Sequence, residues 1–114
     1  MTQMLLALAL LIATPAEAIR FFKTGDELWQ ICIPQTRECL VYVMGVVDGW
    51  DMFRGMGADD CLPKAIAAGQ ITEIVVQWLA RHPQYRHYSG PAPVLIILAI
   101  FEAFPQCAGA PTGR

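Results

Sequence analysis

Four cysteines, Cys32, Cys39, Cys61 and Cys107, constrain this chain of 114 residues more than any other feature of its sequence. An even number of cysteines in a short exported protein indicates a framework of two disulfides. The alternative is a metal site, which would need closely spaced cysteine or histidine ligands such as Cys-x-x-Cys. The successive cysteines are separated by 6, 21 and 45 residues, so the sequence favours disulfides and predicts neither a metal site nor a cofactor.

The N-terminus predicts export. Residues 4–13 form an apolar run that is too short to span a bilayer, which takes about 20 residues. Thr14-Pro15 breaks the run, and Ala16-Glu17-Ala18 places small residues at the two positions that signal peptidase reads. Residues 1–18 are therefore predicted to be a cleaved signal peptide, although Met1-Thr2-Gln3 lacks Lys and Arg. The alternatives are a membrane anchor and a buried helix.

The predicted mature chain is long enough for one domain and not for two. Its net charge is close to −1 once Glu17 is removed, which argues against a nucleic-acid partner, because phosphate binding needs clustered Lys and Arg. The apolar run 94–101 is too short to cross a membrane. We therefore expect a periplasmic domain over residues 19–107, without membrane association after cleavage, and a disordered tail over residues 108–114.

Helical periodicity recurs four times, and no alternating strand pattern competes with it. A capping box from Thr24 to Glu27 predicts the start of the first helix, and Pro34 predicts its end. The other helices are predicted over residues 38–54, from Ile71 up to a stop at Pro83, and over residues 94–104 after an N-cap at Ser89. The fold class predicted is all-α, a small up-and-down bundle of about four helices with two disulfides.

The second predicted helix is apolar on nearly every side, which predicts a central, buried helix. Gly45 and Gly49 each cost a helix about 1 kcal/mol relative to Ala, so their presence predicts that another backbone packs closely against them. Asp48 lies among these apolar residues. We expect it to be buried and paired with Tyr42 or an arginine, since a buried carboxylate needs a partner.

Helix length restricts the disulfide pairing. If short connections make neighbouring helices antiparallel, Cys32 and Cys39 share one end of the bundle and Cys61 and Cys107 share the other. The second helix would be about 25 Å long, whereas a disulfide needs Cα atoms within about 7 Å. Of the three possible connectivities, the sequence therefore favours Cys32–Cys39 with Cys61–Cys107.

No set of catalytic residues emerges. His82 and His87 would need a nucleophile to form a hydrolase site, but the cysteines are assigned to disulfides and Ser89 to a helix cap. The two histidines also lack an obvious third metal ligand. The chain also has an acidic cluster, formed by Asp48, Asp51, Asp59 and Asp60. These residues lack the alternating spacing of a calcium loop. A carboxylate pair for glycoside hydrolysis is possible only in principle. We predict that the protein is not an enzyme.

The chain carries an ordered set of landmarks: Phe22-x-x-Gly25-Asp26-x-Leu28-x-x-x-Cys32, Cys39-x-x-Tyr42-x-x-Gly45-x-x-Asp48-Gly49, Cys61-x-Pro63, Val75-Val76-x-x-Leu79-x-x-His82-Pro83-x-x-Arg86 and Ala103-Phe104-Pro105. Together these landmarks resemble the Tai/Rap-type immunity proteins of the type VI secretion system. The resemblance covers about residues 22–107, and each motif is weak alone. One departure is Gln106, which separates Pro105 from Cys107 where the family commonly reads Phe-Pro-Cys.

The resemblance implies a small, helical, periplasmic protein that binds and blocks a peptidoglycan amidase and is often a homodimer. The fourth predicted helix is apolar on almost every face, and excess apolar surface usually marks an interface. Two alternatives remain, since family resemblance alone does not fix function. One is a small helical stress chaperone of the HdeA-like kind or a structural protein, and the other is a small hydrolase.

The partner-binding surface is expected to be exposed, rigid and rich in aromatic and Arg side chains. Residues 51–60 qualify through Phe53 and Arg54, but their glycines make ordering costly. We therefore predict that the segment from residue 81 to residue 89 binds the partner. The alternative is that this segment serves the fold, as a helix stop and a loop brace. The residues predicted to bind are Arg81, His82, Tyr85, Arg86, His87 and Tyr88, with Pro83 stiffening the segment.

Overall fold

The computed structural model describes residues 23–54 and 61–109, and these residues form an all-α domain. They contain no strand beyond a single bridge between Thr24 and Pro91. The prediction of about four helices is confirmed, whereas the predicted signal peptide and the last five residues of the predicted tail lie outside the described residues. The elements are α1 (Gly25–Cys32), α2 (Arg37–Phe53), α3 (Ala68–Arg81) and α4 (Ala92–Ala103), with 3₁₀ turns at Pro83–Tyr85 and Pro105–Cys107.

The first helix begins at the predicted capping box. The Glu27 amide donates to Thr24 Oγ1 at 3.3 Å, and the Thr24 amide donates to Glu27 Oε1 at 3.0 Å. The helix ends at Cys32, and the chain turns through Pro34 and Gln35, whose φ of 57° lies in the left-handed region. Local sequence chemistry therefore sets both ends of α1.

The second helix departs from its predicted burial. Its buried residues are Cys39, Val43 and Val47, all on one side, while Phe53 is 95% exposed. The prediction of a central, buried helix is wrong, because the described neighbours bury only one side of α2. Val41, Met52 and Phe53 are exposed on the other side. The apolar residues between the two sides are partly buried against the core: Tyr42, Met44, Val46 and Trp50.

Two further predictions about α2 fail for the same reason. A Cβ atom built on Gly45 or Gly49 would meet no heavy atom of the described residues within 4 Å, so no described backbone packs closely against either residue. Asp48 is exposed, and the prediction of a buried, paired carboxylate is therefore wrong.

The fourth helix begins later in the chain than its predicted cap. Pro91, and not Ser89, precedes the first helical residue. The Ala92 amide donates to the Lys23 carbonyl oxygen at 2.8 Å, so the backbone entering α1 satisfies a free amide of α4. Tertiary contact replaces the side-chain cap that the sequence predicted.

The two disulfides are Cys32–Cys39 and Cys61–Cys107, with Cα separations of 4.9 and 5.1 Å. The predicted pairing is confirmed. The first disulfide joins the end of α1 to the first turn of α2, and the second joins the segment before α3 to the turn after α4. Gln106 lies in that turn and donates to the Cys61 carbonyl oxygen at 3.0 Å, so the extra residue supports the disulfide.

The core lies where α3 and α4 meet the inner sides of α1 and α2. No helix among the described residues is long and apolar enough to cross a membrane. The buried apolar residues are Leu28, Cys32, Cys39, Val43, Val47, Ile71, Val75, Val76, Trp78, Leu79, Ala92, Leu95, Ile96, Ala99, Ile100 and Cys107.

Gly25 occupies a site where no side chain fits. A Cβ atom there would lie 2.7 Å from Tyr88 Cδ2, 2.8 Å from Tyr88 Cβ and 2.8 Å from Leu95 Cδ1. We expect Gly25→Ala to lower the free energy of unfolding by about 1–3 kcal/mol, the usual cost of overpacking, as measured by urea denaturation.

Gly69 provides the matched control for this substitution. It lies in the first turn of α3 with no heavy atom within 4 Å of its Cβ position. Gly69→Ala should be neutral or stabilise by up to about 1 kcal/mol through helix propensity. Equal stability of the two variants would contradict the close packing at Gly25.

Candidate partner-binding surface

The segment from residue 81 to residue 89 leaves α3 in a tight, hydrogen-bonded path. The His82 amide donates to the Leu79 carbonyl oxygen at 3.0 Å, and Pro83 then opens a 3₁₀ turn. The Tyr88 amide donates to the Tyr85 carbonyl oxygen at 3.0 Å. Pro83 therefore follows the end of the helix, as its missing amide hydrogen predicts, and the segment is locally ordered by successive turns.

Aromatic rings attach this segment to α3. The buried Trp78 stacks on the His82 ring, with centroids 4.1 Å apart, and on the Tyr85 ring at 5.4 Å. The Tyr88 ring meets Tyr85 edge-on at 6.0 Å. His82 Nδ1 lies 2.7 Å from the Trp78 carbonyl oxygen, which can only accept, so Nδ1 carries the hydrogen. We call Trp78, His82, Tyr85 and Tyr88 the aromatic row.

The far end of the aromatic row is attached to α1. The Asp26 amide donates to the Tyr88 carbonyl oxygen, and the Gly25 amide donates to that of Gly90, both at 3.0 Å. A Cβ atom on Gly90 would overlap the Tyr88 ring, so a larger residue here would force that ring to shift. The segment is thus held between α3 and α1, and its backbone is braced at both ends.

The six residues predicted to bind a partner divide into two groups of three. His82, Tyr85 and Tyr88 are half-buried in the aromatic row, whereas Arg81, Arg86 and His87 are exposed. We call the exposed group the cationic rim. The prediction treated all six as available, but three of them pack against the protein itself.

The described contacts of the cationic rim are long and exposed. Arg81 Nε donates to the Gln77 carbonyl oxygen at 3.4 Å, and the His87 contact is an ion pair only when His87 is protonated. Arg81 Nη1 lies 3.9 Å from Glu102 Oε1, and His87 Nδ1 lies 3.8 Å from Asp26 Oδ1, with the His87 side chain 85% exposed. Exposed pairs of this kind contribute little to stability. The rim side chains are therefore free to contact another molecule at little cost to the fold.

The competing segment, residues 51–60, lies partly outside the described residues. Arg54 is used within the protein, since its Nη1 donates to Cys61 Sγ at 3.1 Å and its guanidinium lies 5.0 Å from the Trp50 ring centroid. Phe53 beside it is exposed. Of the two residues that made this segment a candidate, the described structure leaves only Phe53 available.

A family model describing the Rap1a immunity proteins matches residues 24–107. This chain belongs to the Rap1a immunity protein family. The matched region includes both disulfides, the four described helices and the segment of the cationic rim. Neither the curated proteins nor the solved structures yield a match.

Membership of the Rap1a family implies an inhibitor of a secreted effector and not an enzyme. All four cysteines are paired, and the His82 ring is stacked and hydrogen-bonded. Within residues 23–54 and 61–109, no three His, Cys, Asp or Glu side chains lie close enough to hold a metal ion.

Sequence reasoning missed one feature of this Rap1a family member. An open groove of about 410 Å³ lies between α2 and α4, bounded in part by Gly49 and Trp50. Gly45 and Gly49, read as sites of backbone contact, instead form an indentation in the protein surface. The sequence did contain a signal for this groove, namely two glycines at i and i+4 among large apolar residues. Such a pair leaves a notch in the helix surface whether or not another element fills it.

Proposed function

We propose that this Rap1a family protein is a periplasmic immunity protein that binds and blocks a peptidoglycan amidase delivered by the type VI secretion system. The observation that carries the proposal is the family match over residues 24–107. The disulfides support export, because such bonds persist in oxidising compartments such as the periplasm. The resemblance to amidase-binding members supplies the class of effector.

We further propose that the cationic rim contacts the effector while the aromatic row holds the rim in place. A braced segment loses little conformational entropy on binding, so more of its contact energy becomes affinity. Arginine is enriched among binding hot spots, and Arg81 and Arg86 are exposed at either end of the 3₁₀ turn. The homodimer that the resemblance implies belongs to the same proposal, and exposed apolar side chains on α2 and α4 support it.

The direct test measures peptidoglycan cleavage by a purified type VI amidase effector from the same bacterium. Addition of the exported, disulfide-bonded protein should stop cleavage at a one-to-one ratio of chains. A catalytically inactive amidase variant should bind the protein equally well in calorimetry. Undiminished cleavage at a large excess of the protein would contradict the proposed function.

A substitution tests the binding surface separately. Arg81→Ala with Arg86→Ala should weaken effector binding by at least about 2 kcal/mol, or roughly 30-fold, while the thermal midpoint barely moves. Arg37→Ala with Lys64→Ala is the matched control, since it removes two exposed cations elsewhere and should leave affinity unchanged. If the rim variant binds as tightly as the wild type, the effector contacts another surface.

A further inference from the structure

The two disulfides differ in how far solvent can reach them. Cys32 and Cys39 have no exposed surface, and Cys107 is 3% exposed, whereas Cys61 is only partly buried. Thiol–disulfide exchange begins when a thiolate attacks one of the two sulfurs, so the rate depends on which sulfur the thiolate can reach. In the folded protein, Cys61 Sγ is the cysteine sulfur most open to an external thiol.

A guanidinium group lies beside this sulfur. Arg54 Nη1 donates to Cys61 Sγ at 3.1 Å. Two further contacts hold the arginine at the C-terminal end of α2. Its backbone amide donates to the Trp50 carbonyl oxygen at 3.1 Å, and its guanidinium carbon lies 5.0 Å from the centroid of the Trp50 ring. Contacts that do not involve the disulfide therefore keep a positive charge next to Cys61.

We infer that Cys61–Cys107 is a site of reversible thiol–disulfide exchange with an external dithiol. Cys61 Sγ is the attacked sulfur, and Arg54 is a positioning residue that promotes the attack. The inference does not depend on the identity of the effector.

The exchange has two steps. First, one sulfur of the dithiol, as a thiolate, bonds to Cys61 Sγ; the Cys61–Cys107 bond breaks, and Cys107 leaves with the electron pair and takes up a proton. Second, the other sulfur of the dithiol, also as a thiolate, attacks the first, and Cys61 leaves as a thiolate. The dithiol is oxidised by two electrons and the protein disulfide is reduced. The remaining proton goes to Cys61 or to water.

The charge of Arg54 favours both steps. The transition state of the first step spreads negative charge over three sulfurs, of which Cys61 Sγ is the central one. A cation in contact with that sulfur stabilises this charge and attracts the incoming thiolate. In the second step the same cation stabilises Cys61 as the leaving thiolate.

Opening this disulfide would leave the two cysteines close together. Gln106 Nε2 donates to the Cys61 carbonyl oxygen at 3.0 Å, and this hydrogen bond joins the same two segments without the disulfide. Cys32–Cys39 continues to join α1 to α2. The two thiols are therefore held where they can close again, which makes the exchange reversible.

Timed reduction of the exported, disulfide-bonded protein with dithiothreitol under native conditions tests the inference. Iodoacetamide traps the free thiols, and peptide mapping by mass spectrometry identifies them. Cys61 and Cys107 should be labelled at least about 10-fold faster than Cys32 and Cys39. In concentrated urea the difference should largely disappear, because burial no longer protects the second pair. With reduced glutathione, a monothiol, the trapped mixed disulfide should lie on Cys61.

Substitutions test the role of Arg54. Arg54→Gln should slow the opening of Cys61–Cys107 at least about 5-fold, the effect of one charge at contact distance in water. Arg54→Lys keeps the charge and should recover part of the rate. Lys64→Gln is the matched control, since it removes an exposed cation three residues from Cys61 and should leave the rate unchanged. A merely loosened fold would open faster, so the sign of the change separates the two explanations.

Three results would each reject part of this assignment. Equal native rates for the two disulfides would show that Cys61–Cys107 is not a preferred exchange site. A glutathione adduct on Cys107 would reject Cys61 as the attacked sulfur. Opening in Arg54→Gln that is as fast as in the wild type, or faster, would show that the guanidinium does not promote the attack.

Discussion

Removing the Cys61–Cys107 disulfide, by Cys61→Ala with Cys107→Ala, is expected to lower the free energy of unfolding by about 4 kcal/mol. The disulfide closes a loop with a sequence separation of 46, and the chain-entropy model assigns about 4 kcal/mol to a loop of that length. A domain of this size has about 5–15 kcal/mol of stability in total, so the variant would lose a large share of it.

Urea denaturation measures this loss and also tests its cause. Because the unfolded variant is less constrained and exposes more surface, its m-value should rise while its midpoint falls. The Cys32–Cys39 disulfide, with a sequence separation of 7, is the comparison, and its closure is worth only about 2.5 kcal/mol in the same model. A loss below about 1.5 kcal/mol for the long loop would contradict the chain-entropy account.

Trp78→Ala is expected to cost about 3–5 kcal/mol, the usual range for truncating a buried tryptophan. Trp78 is 4% exposed, and both His82 and Tyr85 stack on its ring. Truncation therefore opens a cavity in the core and removes the support of the aromatic row in one step.

Trp78→Phe is the matched control, because phenylalanine keeps a ring in the same place. Its cost should be only about 1–2 kcal/mol by urea denaturation. Hydrogen exchange of the backbone amides from residue 84 to residue 90 should accelerate in Trp78→Ala and stay near the wild-type rate in Trp78→Phe. Unchanged exchange in both variants would show that hydrogen bonds to α1 suffice to hold the segment.

The sequence predicts those parts of the fold that local chemistry decides. The Thr24–Glu27 capping box forms as expected because donors and acceptors three residues apart satisfy each other without help from the rest of the chain. The stop at Pro83 is equally local. The disulfide pairing was predictable for a different reason, since geometry left few ways to join four cysteines across a helical domain.

The burial of α2 could not be predicted from its own residues. A helix with apolar side chains on every side can be buried on any of them. Its own sequence does not show which side the neighbouring helices will bury. The answer depends on where α1, α3 and α4 pack, and these helices contact the side of Cys39 and Val43. Asp48 and Gly49 are therefore exposed, although both are surrounded in the sequence by apolar residues of the kind found in a protein core.

The sequence predicted the segment that forms the candidate site, but not its division into the aromatic row and the cationic rim. Composition identified the aromatic and cationic side chains from residue 81 to residue 89, yet composition does not show which of them face inward. A signal was present in the spacing of Trp78, His82 and Tyr85, which fall at i, i+4 and i+7 and so lie on one side of a helical path. The structure places all three rings together on that side.

The separation of the aromatic row from the cationic rim has an evolutionary consequence. An immunity protein must follow changes in the toxin it neutralises, and most substitutions in a small domain endanger its folding. Here Arg81, Arg86 and His87 can be exchanged for other side chains while the rings beneath them keep the segment in shape. Under the rim contact proposed above, new specificities would arise one surface residue at a time, without a compensating change in the interior.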